Sequence, residues 1–155
     1  MSNQHPHKQR FDPAIQARSK ARKRVVQGLY QWQLTGHSAG SIADQFHDEQ
    51  DFEGCDEAFF RNALSAIIKD SDSLDAVLSR HLDRPLPDVD QMERAVLRLG
   101  TWELMQTLET PYRVVLSEAI NLARTFGAEG GHSYVNGVLD RVAQQVRAVE
   151  YRRAL

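Results

Sequence analysis

Residues 92–108 read MERAVLRLGTWELMQTL, and this stretch decides the fold. Asp90 stands three residues before Glu93 in capping-box spacing, so a helix is predicted to begin near Asp90. Its apolar residues spread over much of the circumference instead of one stripe, as in a central helix enclosed by others. The flanking sequence supplies amphipathic neighbours. Thr110-Pro111 offers a cap and a first-turn proline for a following helix, in which Val115, Ala119, Leu122 and Phe126 share a stripe before Gly127 closes it. A last helix, from about Ser133, carries Val135, Val138, Leu139, Val142, Val146 and Val149 at helical spacing. Leu99 and Val138 are read as buried contacts of the central and last helices.

Upstream, RPLPD at 84–88 terminates a long pattern, because proline removes a backbone donor and restricts the residue before it. That pattern runs from Glu57 to about Leu82 through Phe60, Leu64, Ile67, Leu74, Val77 and Leu78, with SDS at 71–73 as a break. Residues 39–50 predict a short helix around Ile42, Ala43 and Phe46, and the acidic DEQDFEGCDE after it reads as a loop. In the first helix Val25, Leu29 and Trp32 fall at i, i+4 and i+7, and Gly36 follows as a stop. There is no convincing strand and no internal repeat. The fold class expected is all-α, a compact bundle of about six or seven helices. A chain of 155 residues fits one domain, with 1–13 a mobile tail around Pro6 and Pro13 and 14–150 the folded part.

No apolar run approaches the roughly 20 residues of a membrane span, and the first 16 residues are too polar for a signal peptide. A soluble, cytoplasmic protein without a membrane partner is expected. The lone Cys55 excludes an internal disulfide and any thiolate metal cluster. The formal net charge is −2, yet between Lys8 and Arg24 seven Lys or Arg meet one acid, Asp12. The body is therefore acidic and one end basic.

That end reads ARSKARKRVVQGLYQWQL, residues 17–34. On a helical wheel Arg18 and Arg22 continue the face that Val25, Leu29 and Trp32 bury, while Lys20, Lys23 and Arg24 point elsewhere. Five cations cannot all be buried without partners, so the first two turns are expected to project past the bundle or fray. A solubilising end is the plain alternative. The density of charge, and its attachment to a helix that holds it in register, favour nucleic acid, and short flexible basic segments suit single-stranded RNA.

Motifs for catalysis are missing: there is no phosphate-binding glycine loop, no GxSxG, no HExxH and no zinc spacing. GAEGG at 127–131 lies between helices and reads as a C-cap and turn. DSDSLD at 70–75 lacks the glycine and glutamate of a calcium loop. His5 and His7 have no third metal ligand beside them. No catalytic residue, cofactor or metal is expected.

The blocks RKRVVQGLYQWQLTG, MERAVLRLGTWEL and PYRVVLSEAINLARTFGAEGGHSYVNGVLDRVA, in this order, resemble the bacterial transcription antitermination factor family NusB, over about residues 22–143. The resemblance implies two small helical sub-bundles without catalytic activity. It implies binding of the boxA element of ribosomal RNA leaders together with NusE, a small ribosomal subunit protein, in an RNA polymerase antitermination complex. Carried over by position, Arg18, Lys20, Arg22, Lys23 and Arg24 form the RNA-binding segment, and Tyr134 matches an aromatic position that contacts RNA. Tyr30 and Glu93 match positions at or near the NusE surface, although a half-buried core tyrosine and a helix cap are equally open readings. Gly130 and Gly131 stand where many relatives have Asp-Ser, so an acidic side chain is absent there. A homodimer of the free protein is left open. Two rivals belong to other classes: a ribosomal RNA cytosine methyltransferase with a similar front domain, which no catalytic domain follows here, and a helical protein interaction module without specific RNA binding.

Overall fold

The structure, a computed structural model, describes residues 12–127 and 129–155. Among them are eight α-helices and one 3-10 turn: α1 (Pro13–Thr35), α2 (Ala39–Glu49), α3 (Glu57–Lys69), α4 (Ser71–Ser79), the turn Leu86–Asp88, α5 (Gln91–Gln106), α6 (Tyr112–Phe126), α7 (Gly131–Val146) and α8 (Ala148–Arg153). The all-helical class and the two sub-bundles are both observed, for the chain divides into compact units at Ala66 and Ile67.

The first unit is a phenylalanine-rich core closed by α1 and α2. Val25, Val26, Leu29, Ile42, Phe60 and Leu64 are inaccessible to solvent, and the Phe60 ring lies 5.6 Å from Phe46 and 5.3 Å from Phe52. Gly28 lets the helices approach, since a methyl there would meet Leu64 Cδ1 at 3.1 Å. α1 ends at Gly36, whose φ of +71° lets its N–H return to Trp32 O.

In the second unit α5 is the central helix, packed by α4, α6 and α7. Everything from Ala95 to Leu104 is buried, which is why its sequence shows no single stripe. Leu99 and Val138 are both core residues. Gly100 lets α5 and α7 pack closely, since a methyl there would lie 2.6 Å from Leu139 Cδ1. Asp90 caps α5 by accepting from Met92 N and Glu93 N, each at 3.1 Å. The buried Arg98 is held bidentately by Asp75, at 3.0 and 2.8 Å, which gives that acid of the DSDSLD run a structural use.

Four expectations need correction. The break after α3 comes at Asp70, one residue before the SDS run. Thr110 does not cap α6: Pro111 holds the N-cap position, and Glu150 Oε2, from α8, accepts the Tyr112 N–H at 2.8 Å. The last helix does not run on to Val149. Arg147 leaves helical geometry (φ −120°, ψ 38°) to bury its guanidinium against carbonyls near the end of α5, and Val149 falls on α8, 56% exposed. The expected tail lies outside the described residues for 1–11, His5 and His7 included; Asp12 and Pro13 at its far end are the N-cap and first residue of α1.

Candidate nucleic-acid interface

The basic turns of α1 neither project nor fray. The backbone of Ala17 accepts a hydrogen bond from Asp56 N at 3.1 Å, which ties the second turn to the start of α3. Asp56 Oδ2 also meets Arg18 Nε at 3.4 Å, and the Arg18 guanidinium lies 4.1 Å from the Phe59 ring centre. Arg22 is buried, its guanidinium 5.9 Å from the same ring. The half-buried Arg18 is thus held by a carboxylate and, together with the buried Arg22, by an aromatic face at the start of α3, neither of which adjoins them in sequence.

With Arg18 and Arg22 fixed inward, the other cations face out. Lys20 and Lys23 are exposed and Arg24 is half-buried. Together with Asp51, Glu53 and Cys55 they line a concave surface. Arg24 donates to Gln27 Oε1 at 3.0 Å and to Asp51 O at 3.4 Å, which fixes its direction. The wall opposite turns at Gly54, where φ is +68° and a methyl would stand 3.2 Å from Lys20 Nζ. Burial pushes the Cys55 thiol up, and the Arg24 charge opposes that only in part. A shallow hollow edged by two ammonium groups and a guanidinium suits phosphate oxygens.

The remaining expected site residues divide between the units. Tyr30 is half-buried on α1 in the first unit, which agrees with a flank position. Glu93 and Tyr134 belong to the second unit, where the structure brings them to one cluster. Tyr134 carries the Arg84 guanidinium 4.6 Å from its ring centre. Arg84 is in turn held by Asp83, Nε to Oδ1 at 2.7 Å and Nη2 to Oδ2 at 3.1 Å. The Arg84 hydrogen bonds hold the Asp83 carboxyl below its usual range, and the pair, with Tyr134 and Glu93 nearby, raises the Arg84 guanidinium. Burial, followed by the neighbouring Asp83, pushes the Tyr134 phenol up.

Glu93 is 7% exposed. Its carboxylate packs on the first residue of α7: a methyl on Gly131 would overlap it, 2.8 Å from Cδ. Gly130, at φ +81°, turns the chain into that helix. The Gly-Gly pair therefore serves geometry, one residue for the turn and the next for contact with Glu93. Sequence reasoning missed both Arg84, which opens the RPLPD segment read only as a helix breaker, and Asp83 just before it.

A model of the NusB family matches residues 19–144 of this chain. The chain belongs to the NusB family. Among its relatives, the transcription antitermination protein NusB of Nitrosococcus oceani is 53% identical over 139 residues, covering 89% of this chain and 93% of that one. NusB of Xanthomonas axonopodis pv. citri is 45% identical over 148 residues, 96% and 92% of the two chains. The solved structure of T. maritima NusB superposes with a TM-score of 0.73 at 28% identity, over 82% of this chain and 90% of that one. A solved complex of the antitermination factors NusB and NusE with double-stranded RNA contains the same fold, with a TM-score of 0.73 at 22% identity and coverage of 82% and 96%. The NusB fold is thus seen on both counts, by sequence over most of the chain and by backbone. Among the described residues no helix is long and apolar enough to cross a membrane.

Proposed function

We propose that this NusB-family protein is a non-catalytic, cytoplasmic antitermination factor that binds boxA RNA of ribosomal leader transcripts together with NusE, within an RNA polymerase antitermination complex. The observation that carries the reading is the division of labour on α1. Arg18 and Arg22 fasten the helix to Phe59, Arg18 also to Asp56, and the exposed Lys20 and Lys23 with the half-buried Arg24 surround one hollow. A merely solubilising end needs no such anchoring, whereas phosphate recognition gains from cations held in fixed register. Relatives named as antitermination proteins, and a solved NusB–NusE–RNA complex of the same fold, support the partner assignment.

Tyr30 and Glu93 are assigned to the NusE side and Tyr134 to the RNA side. The rigidity of the α1 turns removes the argument from flexible segments for single strands, so strandedness is decided by titration with boxA RNA as a single strand and as a duplex. Calorimetric titration of RNA with and without NusE tests the function. Coupling of about 1 to 3 kcal/mol, equal whichever partner is added first, is expected. Independent binding, or none, would remove the adaptor and leave a protein interaction module. Sedimentation with and without RNA reports in the same samples whether a homodimer occupies the RNA face.

A further inference from the structure

Arg84 is not among the residues expected to bind anything, yet it is an exposed cation held on two sides, by Asp83 and by Tyr134. Pro85 and Pro87 follow it, and each fixes its own φ and restrains the residue before it, so the side chain departs from a stiff link. Asp83 grips one edge of the guanidinium and Tyr134 covers one face, at the distances given above. The side chain nonetheless remains 45% exposed. One face and the outer N–H edge of a planar cation are therefore offered to solvent in a set orientation, with the rotamer entropy already lost before a ligand arrives. The Tyr134 hydroxyl is shielded from solvent and lies beside the Asp83 carboxylate, so the ring serves as a support and its oxygen is not offered outside.

We propose that Arg84, stacked on Tyr134, is the platform for one unpaired nucleobase of the bound RNA. The proposal rests on the RNA-binding reading above and deepens it. A guanidinium plane accepts a base by stacking, and the base need not displace Asp83. An acidic protein side chain fits less well, because Asp83 already occupies the bidentate edge and would repel it. The adjoining Glu93 adds negative charge that disfavours a phosphate at the same spot and leaves a neutral base as the better guest. Aromatic and cation then act as one unit, with Tyr134 setting the height of the platform and Arg84 its exposed surface.

The test uses boxA RNA carrying a single 2-aminopurine at successive positions, titrated with the full chain in the presence of NusE. One position should lose fluorescence on binding. Arg84→Lys keeps the charge and loses the plane; it should restore fluorescence at that position and weaken binding roughly 5- to 150-fold with the salt slope unchanged. Arg84→Ala should weaken binding at least as much. Quenching and affinity that survive Arg84→Lys, or an effect confined to the salt slope of Arg84→Ala, would reduce Arg84 to a charge and overturn the platform. Binding that Lys20→Ala and Lys23→Ala abolish but neither Arg84 variant alters would sink the platform alone. Failure of the unaltered chain to bind RNA would sink the reading beneath it and the platform with it.

Discussion

Arg22 in the first unit and Arg147 in the second are both buried, 4% and 5% exposed, and they are buried to different ends. Arg147 is a cap supplied from a distance. Its Nε donates to Leu104 O at 2.6 Å, Nη1 to Thr110 O at 3.0 Å, and Nη2 to Glu103 O at 3.2 Å and Thr107 O at 3.1 Å. It thereby supplies a donor to Leu104 O and Thr110 O at the end of α5 and the turn after it, and a further one to Glu103 O and Thr107 O, which already accept from Thr107 N and Thr110 N. Glu150 holds its charge at 2.7 Å while also accepting the Tyr112 N–H, so α5 and α6 are finished by residues of one short segment. Arg22 instead shares the Phe59 ring with Arg18, within the same turn as exposed Lys20 and Lys23. The lesson is that a buried cation surrounded by backbone carbonyls maintains the fold, whereas one buried beside exposed cations positions a surface.

The comparison is broken most readily at Arg147. Arg147→Met keeps much of the apolar stem and removes every donor, leaving Leu104 O and Thr110 O unpaired at about 1 to 3 kcal/mol each, while Glu103 O and Thr107 O keep their backbone donors. A total loss of about 3 to 5 kcal/mol is expected in urea unfolding, and a loss below about 1 kcal/mol would mean the caps are ornamental. Arg22→Ala should cost less, about 1 to 2 kcal/mol from the ring contact and the space left behind, while Lys23→Ala should stay within about 0.5 kcal/mol. For RNA the order should reverse, with Lys23→Ala the more damaging. Equal effects of the two on stability would erase the distinction between anchor and surface.

The smallest effect concerns acid. The Tyr112 N–H, and after it Arg147, hold the Glu150 carboxyl below its ordinary value near 4.5. A carboxylate depressed in this way contributes stability that is present above its unfolded value and is lost as pH falls through the folded one. The melting temperature should therefore decline below about pH 4.5 less steeply in Glu150→Gln than in the unaltered chain. The side chain is 39% exposed, so solvent screening keeps the difference small. Parallel declines would show that Glu150 takes no part.

Helical periodicity and capping residues made the fold legible. The uninterrupted burial of α5 is visible in MERAVLRLGTWEL, and Asp90, Gly36 and the proline pair mark ends that the structure keeps. Long-range polar contacts were not legible. Nothing near Thr110 announces that Glu150 takes over its capping role, and nothing near Val146 announces that Arg147 turns inward. The site divides in the same way. The number of cations on α1 is a matter of composition, but which of them are anchors depends on Phe59 and Asp56, some 40 residues away in sequence. Arg84 was hidden for the same reason, because its significance lies in a ring fifty residues downstream. The absence of an acid at Gly130-Gly131 was visible; that a side chain at 131 would collide with Glu93 was not.

The central claim is that Lys20, Lys23 and Arg24 meet RNA while Arg22 holds their helix in place. The salt dependence of boxA affinity tests it most directly, because the log–log slope counts phosphate contacts whatever the affinity. With NusE present, replacing Lys20, Lys23 and Arg24 together by Ala should reduce the steepness of that slope by about 2, at roughly 0.7 for each contact on a single strand. Arg22→Met should leave the slope where it was, even if affinity falls with stability. A slope unchanged in the triple variant, or lowered as much by Arg22→Met as by a single lysine substitution, would contradict the account.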